Sequence, residues 1–391
     1  MFSDRTSWDF SVNRYTAAVE EMRASGADFI DLTVSNPTQC GFRYDTERIL
    51  AAFQNPTALE YEPEAKGLAV ARAEVAQYYC EDHYTTMDQD SILLTTSTSE
   101  AYSYVFRLLC NPHEQILVPK PSYPLFDFLG DLQDVSLIPY TLQYAHGWFI
   151  DFPSLERALS PRTRAILLVH PNNPTGSFVR DEELRRLNEV CRQHDLALIV
   201  DEVFLDYTTD GRTRWSFARN QEALTFTLSG LSKIAGLPQM KVAWVAVTGP
   251  EPRVKAALQR LEIIADTYLS LNSPIQWAFP ALFAQRRQIQ PQILERVRRN
   301  LSCLKAELAG AKRCQLLDSE GGWYAVVKVS GEASDEELAI RILRSARVLI
   351  HPGHFYDFPA DGHIVLSLIA NEGAFATGTR KLRGLIENAS A

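Results

Sequence analysis

Residues 165–207 read AILLVHPNNPTGSFVRDEELRRLNEVCRQHDLALIVDEVFLDY. Two apolar runs, 165–169 and 196–200, flank a polar stretch of helical period. Each run is apolar at every position rather than at alternate ones, as expected of a strand buried on both faces. Between them, Asp181–His194 opens on acidic residues and closes on Arg192 and His194, a charge order that suits the helix dipole. Strand, helix and strand in that order predict a mainly parallel sheet wrapped by helices.

The same alternation extends outward, with further strands expected at 92–95, 116–118, 135–138, 224–228 and 242–247. The expected fold is therefore α/β, with a mainly parallel seven-stranded sheet in a large domain spanning residues 51–274. Beyond it the pattern gives long helices at about 254–271 and 291–308, the second opening on Pro291 at a tolerated first-turn position. A strand at 323–329, a helix at 334–344, a strand at 364–368 and a helix at 377–388 follow. This is an α+β pattern, assigned with the N-terminal segment to a smaller domain of residues 1–50 plus 275–391.

Composition narrows the function. A chain of 391 residues is too long for one small core. With 46% hydrophobic and 22% charged residues, extended disorder is excluded. A formal net charge of −9 argues against a non-specific nucleic-acid binder, which needs excess positive charge. The six cysteines lack CxxC spacing, so reduced thiols are expected rather than a disulfide frame or a metal site. No signal-type apolar region opens the chain, and no apolar run approaches the length of a membrane span. A cytoplasmic protein is expected.

Four segments carry possible chemistry, each at the carboxyl end of an expected strand, where open α/β sheets bind ligands. SILLTTSTSEAYSYVFRLL runs into Ser97, Thr98 and Ser99, hydroxyls at a helix start that could hold a phosphate. Asn172-Asn173-Pro174-Thr175-Gly176 follows the strand ending at His170. Asp201 and Glu202 follow 196–200. SGLSKIAGLPQMKVAW places Lys233 on a turn between Gly230 and Gly236, among apolar residues that would strip water from its ammonium. Each segment alone has a plainer reading: helix cap, tight turn, capping aspartate, solvated lysine.

Together, in this order and spacing, they resemble the class I/II aminotransferases, the fold-type-I enzymes that use pyridoxal 5'-phosphate. The resemblance runs from Asp31 to the C-terminus. It implies that Lys233 binds the cofactor covalently and shuttles a proton. It implies that Asp201 partners the pyridine nitrogen, that Asn173 donates to the phenolic oxygen, and that Tyr123 stacks on the ring. Ser97, Thr98 and Ser99 would form the phosphate cup, and Tyr61 would reach the phosphate of a neighbouring subunit in a homodimer with shared sites. The implied reaction moves an amino group from a small-molecule donor to a keto acceptor. A decarboxylase or β-lyase of the same fold, or a catalytically silent cofactor-binding relative, is the alternative.

The chain departs from the family's pattern at several places. Lys241 stands where an arginine binds the phosphate, keeping the charge and losing the bidentate fork. Phe204 stands where a tyrosine bonds the cofactor oxygen. Gly230 stands where a serine is usual, with Ser229 or Ser232 as substitutes. Val365 occupies the place of the arginine that clamps a substrate carboxylate, and a buried apolar residue cannot pair with one. His351 and His354, in VLIHPGHFYDF, are candidate replacements, and Asn36 is a further substrate-contacting candidate. No metal is expected, because the two histidines lie in a Pro-Gly loop without a third ligand.

Overall fold

The computed structural model describes residues 1–332 and 334–388. Its larger sheet has eight strands in the spatial order Ile92–Thr95, Ala243–Thr248, Thr225–Gly230, Ala197–Asp201, Thr163–Val169, Gln115–Lys120, Ser136–Tyr144 and Trp148–Ile150. The run from Thr225–Gly230 to Ser136–Tyr144 is parallel throughout. Ala243–Thr248 is antiparallel to both of its neighbours. All seven expected strands form. The eighth, Trp148–Ile150, is a three-residue hairpin partner of Ser136–Tyr144, too short to carry a period of its own.

Side-chain alternation explains the unbroken apolar runs. Along Thr163–Val169, Ala165, Leu167 and Val169 enter one core, while Ile166 and Leu168 enter another on the opposite face. Each buried Leu or Ile contributes roughly 1.5–3 kcal/mol over exposure, so neither face tolerates polar substitution. One face is covered by Thr98–Leu109 and Glu251–Tyr268. The other is covered in part by Asp181–His194, which buries Leu184, Leu187, Val190 and Cys191.

A second, antiparallel sheet has the order Cys314–Leu316, Tyr324–Val329, His363–Ser367 and His351–Pro352. Ile30–Asp31 pairs in parallel with Val348–Leu349, tying the N-terminal segment to this part of the chain.

Helix starts differ most from expectation. The helix expected from Pro291 begins at Arg286 and runs to Glu307, with Pro291 inside it. Interior proline costs about 3 kcal/mol, yet it lies on the exposed side while Ile289, Ile293 and Val297 are buried. Packing outweighs the missing donor. The last helix starts at Glu372 rather than Thr377, and the helix expected at 334–344 gives way to a π turn, Ile342–Ala346, after Arg341.

Candidate active site

Pairing register builds the site. Val169 lies opposite Asp201, and Asp201 lies opposite Leu228 on the next strand. Three parallel strands therefore end level with one another, and the segments after them, bearing Asn173, Asp201 and Lys233, converge at one edge of the sheet.

Lys233 sits in the four-residue helix Leu231–Ile234. Its Nζ lies 5.2 Å from the centre of the Trp323 ring and 5.7 Å from that of Phe204. Burial among these rings lowers the amine's pKa, and the charge of Asp201 opposes the shift. The turn is fixed from below: the Tyr207 hydroxyl donates to the Lys233 carbonyl at 2.6 Å. Asp201 is buried, and burial raises its carboxyl pKa. Two donors oppose that rise, the Val203 N–H at 3.0 Å and the Tyr102 hydroxyl at 2.9 Å. Tyr102 was not singled out from the sequence. It lies one turn into the helix that starts at the Ser97 cap, which is the signal that could have found it.

The two adjacent asparagines are unlike. Asn172 is satisfied: its amide donates to the Pro121 carbonyl at 3.1 Å and to Thr175 Oγ1 at 2.9 Å, and its carbonyl accepts from Ser122 at 3.2 Å. Asn173 is buried, and its Oδ1 has no partner among the described residues. A buried carbonyl left unpaired is costly, and no hydrogen bond engages the Asn173 Nδ2 among the described residues either, so its NH2 is left to donate to a ligand. Gly176, at φ +70°, closes the turn; a Cβ there would lie 2.0 Å from Ser319 Oγ.

The remaining expected contacts divide. Ser97 caps the helix Thr98–Leu109, accepting from the Glu100 N–H at 3.1 Å. The Thr98 and Ser99 hydroxyls, in the first turn, have no hydrogen-bond partner among the described residues and are free to meet an anion. Tyr123 packs edge-on against Phe126 at 5.7 Å, and its phenol pKa is raised by burial and by Asp201. Phe204 is buried against Trp323, centroids 5.2 Å apart. Ser229 is buried with Oγ 3.5 Å from the Glu202 carbonyl, and Ser232 is half-buried. Lys241 is exposed, at φ +53°. Tyr61 is 78% exposed, beside a cavity of about 430 Å³ that Leu59, Tyr104 and Leu269 also line.

The substrate candidates sit in unlike surroundings. Asn36 Oδ1 caps a turn, accepting from the Thr38 N–H and hydroxyl at 3.1 and 2.7 Å. Val365 is fully buried, opposite Val326 on one side and His351 on the other, so all three share a face. His351 is no substitute cation: burial lowers its pKa to about 4, Asp31 only partly opposing, and its Nδ1 lies 2.8 Å from the Tyr356 hydroxyl. His354 is exposed, its ring edge-on to Phe355. Among the described residues no cluster of three His, Cys, Asp or Glu could hold a metal ion.

A cofactor with a pyridine nitrogen, a phenolic oxygen, an aldehyde and a phosphate fits this edge. Asp201, the unpaired Asn173 amide, Lys233 and the free hydroxyls of Thr98 and Ser99 are the matching groups.

The family model for class I and II aminotransferases matches residues 27–372. An alanine aminotransferase of Mycobacterium tuberculosis is 27% identical over 365 residues, 91% of this chain and 84% of that protein. The glutamate-pyruvate aminotransferase AlaA of Escherichia coli is 26% identical over 355 residues, 88% and 87% of the two chains. Among solved structures, an alanine aminotransferase from Pyrococcus furiosus superposes with a TM-score of 0.89 at 20% identity, covering 99% of both chains. The Thermus thermophilus aspartate aminotransferase with maleate gives 0.84 at 21% identity, covering 98% and 99%. At that identity the structural likeness speaks to the fold.

Proposed function

The chain belongs to the class I and II aminotransferase family, and from that premise we propose that it moves an amino group from a small-molecule donor to a keto acid with Lys233 as the working amine. The observation that carries the reading is the convergence at one sheet edge of a desolvated lysine, a buried carboxylate and an unpaired buried amide. Pyridoxal 5'-phosphate, when bound, supplies an aldehyde for an amine to attack and a ring that draws charge from the carbon next to the donor nitrogen.

The protein's own groups do the rest. Lys233, its ammonium destabilised by burial, is available in the neutral form that attacks an aldehyde and later takes or returns a proton. Asp201, whose charged form Tyr102 and the Val203 N–H favour against burial, would keep the pyridine nitrogen protonated. The Asn173 amide would meet the phenolic oxygen, and Tyr123 would cover the ring. Ser97, Thr98 and Ser99 would seat the phosphate at the helix start, with Lys241 adding charge from a neighbouring loop. Trp323 and Phe204 exclude water from the amine.

Donor choice follows from the neutral face around Val365. A donor bound on that side finds no cation at the Val365 position, where the valine is buried and the neighbouring imidazole is neutral. The reading therefore favours donors whose carboxylate, if present, is not clamped at that position, and includes amines that have none. Alanine and the glutamate-pyruvate pair, named for the relatives, are the first compounds to compare. Exposed Leu59, Tyr61 and Leu269 around the 430 Å³ cavity support a homodimer in which Tyr61 serves the partner's site. The six unpaired cysteines support a reducing, cytoplasmic setting.

The test is a half-reaction. An amino donor should abolish the absorbance of the protein-bound cofactor, and a keto acid added afterwards should restore it. Loss without recovery on any keto acid would refute amino transfer and point to elimination or decarboxylation.

A further inference from the structure

Away from the sheet edge, a cavity of about 360 Å³ opens between the end of helix Ala69–His83, the loop 205–214 and the first turns of helix Arg286–Glu307. Its wall carries Arg212, Arg214, Arg286, Arg287 and Arg298 against the carboxylates Glu81, Asp82 and Asp206, with histidine counted neutral. With Asp210 and Glu320, which pair with these arginines from just outside the wall, five arginines meet five carboxylates.

Most of these charges are spent on one another. Arg286 pairs with Asp82 at 3.1 Å, Arg287 with Glu81 at 2.9 Å, and Arg214 with Asp210 at 2.8 Å. Asp206 accepts from the Tyr78 hydroxyl at 3.2 Å and lies 3.3 Å from His83 Nε2. Two donors are left over. Arg298 has no ion pair or hydrogen bond among the described residues, and its guanidinium lies against Gly211, 3.2 Å from where a Cβ would sit. Gln290 Nε2 is buried without a partner. They stand on one helix eight residues apart, both lining the cavity.

We infer that this cavity binds a small phosphorylated anion, with Arg298 and Gln290, the two donors without partners, as the groups that hold it. A guanidinium fork suits phosphate oxygens, and a neutral amide N–H beside it adds a second donor. The volume exceeds that of one phosphate and falls at the lower end for small-molecule sites, leaving room for an organic group beside Leu294. The assignment does not depend on the amino-transfer reading. The loop 205–214 includes Tyr207, which holds the Lys233 carbonyl, so the cavity and the cofactor edge share one segment of chain.

The test uses the cofactor-loaded protein, in which the phosphate cup is already filled, and pyrophosphate as the probe. Calorimetric titration should show saturable binding with a Kd of about 1 mM or tighter. Arg298→Ala should weaken it roughly ten-fold and Gln290→Leu by a smaller factor, with the absorbance of bound cofactor unchanged. Arg185→Ala, on the exposed face of another helix, should leave binding as it was. Arg298 is itself exposed, so its removal should leave the fold intact, which the thermal midpoint will show. The absence of saturable binding, an unaltered affinity in Arg298→Ala, or equal competition by chloride overturns the inference.

Discussion

The edge of the large sheet and the face of the small sheet that carries Val365 are built on opposite electrostatic principles. At the edge, Lys233 and Asp201 are ionisable groups forced into partial burial, each with its pKa displaced by loss of water and each held by hydroxyl donors. On the Val365 face, Val326, Val365 and His351 share one surface, and the imidazole is kept neutral. The contrast locates the cofactor-directed chemistry, which requires charge, on the strands whose ends align. In the proposed reaction the donor would meet the second region, which offers no cation at Val365. The family's lysine, aspartate and asparagine all stand in the first region, beside the departures at Phe204, Gly230 and Lys241, whereas the second lacks the carboxylate-clamping arginine, so the reaction class is better defined than the substrate.

The contrast can be broken from either side. Removing the edge's charge should have the largest effect: Asp201→Asn should retain the cofactor while kcat falls about a hundred- to thousand-fold, the scale for losing one preorganised electrostatic contact. A loss below about ten-fold would remove Asp201 from the mechanism. Charging the neutral face should have a smaller effect. Val365→Arg should raise kcat/KM for an α-amino acid relative to the matching amine by roughly ten-fold. If that ratio stays fixed, the face does not meet the donor.

Tyr102→Phe sharpens the account of the edge. Losing one hydrogen bond to a carboxylate, worth about 1–2 kcal/mol, should lower the rate roughly five-fold or more at neutral pH. The hydroxyl now holds the Asp201 pKa down, so its loss should move the acid limb of the pH–rate profile to higher pH. The smallest effect concerns stability. His351 is neutral in the fold, with a pKa near 4 against an ordinary 6.5. The unfolded chain therefore binds a proton that the folded one refuses, and stability falls as pH drops from about 6.5 towards 4. His351→Gln should flatten part of that slope in urea unfolding. An equal slope in both proteins would mean that the imidazole is charged in the fold.

Much of this was legible in the sequence because the central strands are apolar at every position and their ends are marked by turn formers. The strand–turn–lysine order and the Asn-Asn-Pro-Thr-Gly turn could be read without coordinates. Which asparagine was spent on structure could not, since Asn172 and Asn173 differ only in whether Pro121, Ser122 and Thr175 surround them. Tyr102 was hidden for a similar reason: a tyrosine in an amphipathic helix looks like core until its hydroxyl is seen on Asp201. The helix start at Arg286 was missed because a proline mid-helix is tolerated only through packing, which local propensity does not express. His351 looked like a spare cation until its burial and its contact with Tyr356 were known.

The most direct test is to trap the attachment. The protein is loaded with pyridoxal 5'-phosphate, reduced with borohydride, digested and mapped by mass. The account predicts a single phosphopyridoxyl group on the peptide containing Lys233, and none in Lys233→Ala. A label on Lys241 or another lysine, or loaded protein that yields no reduced adduct, would contradict it.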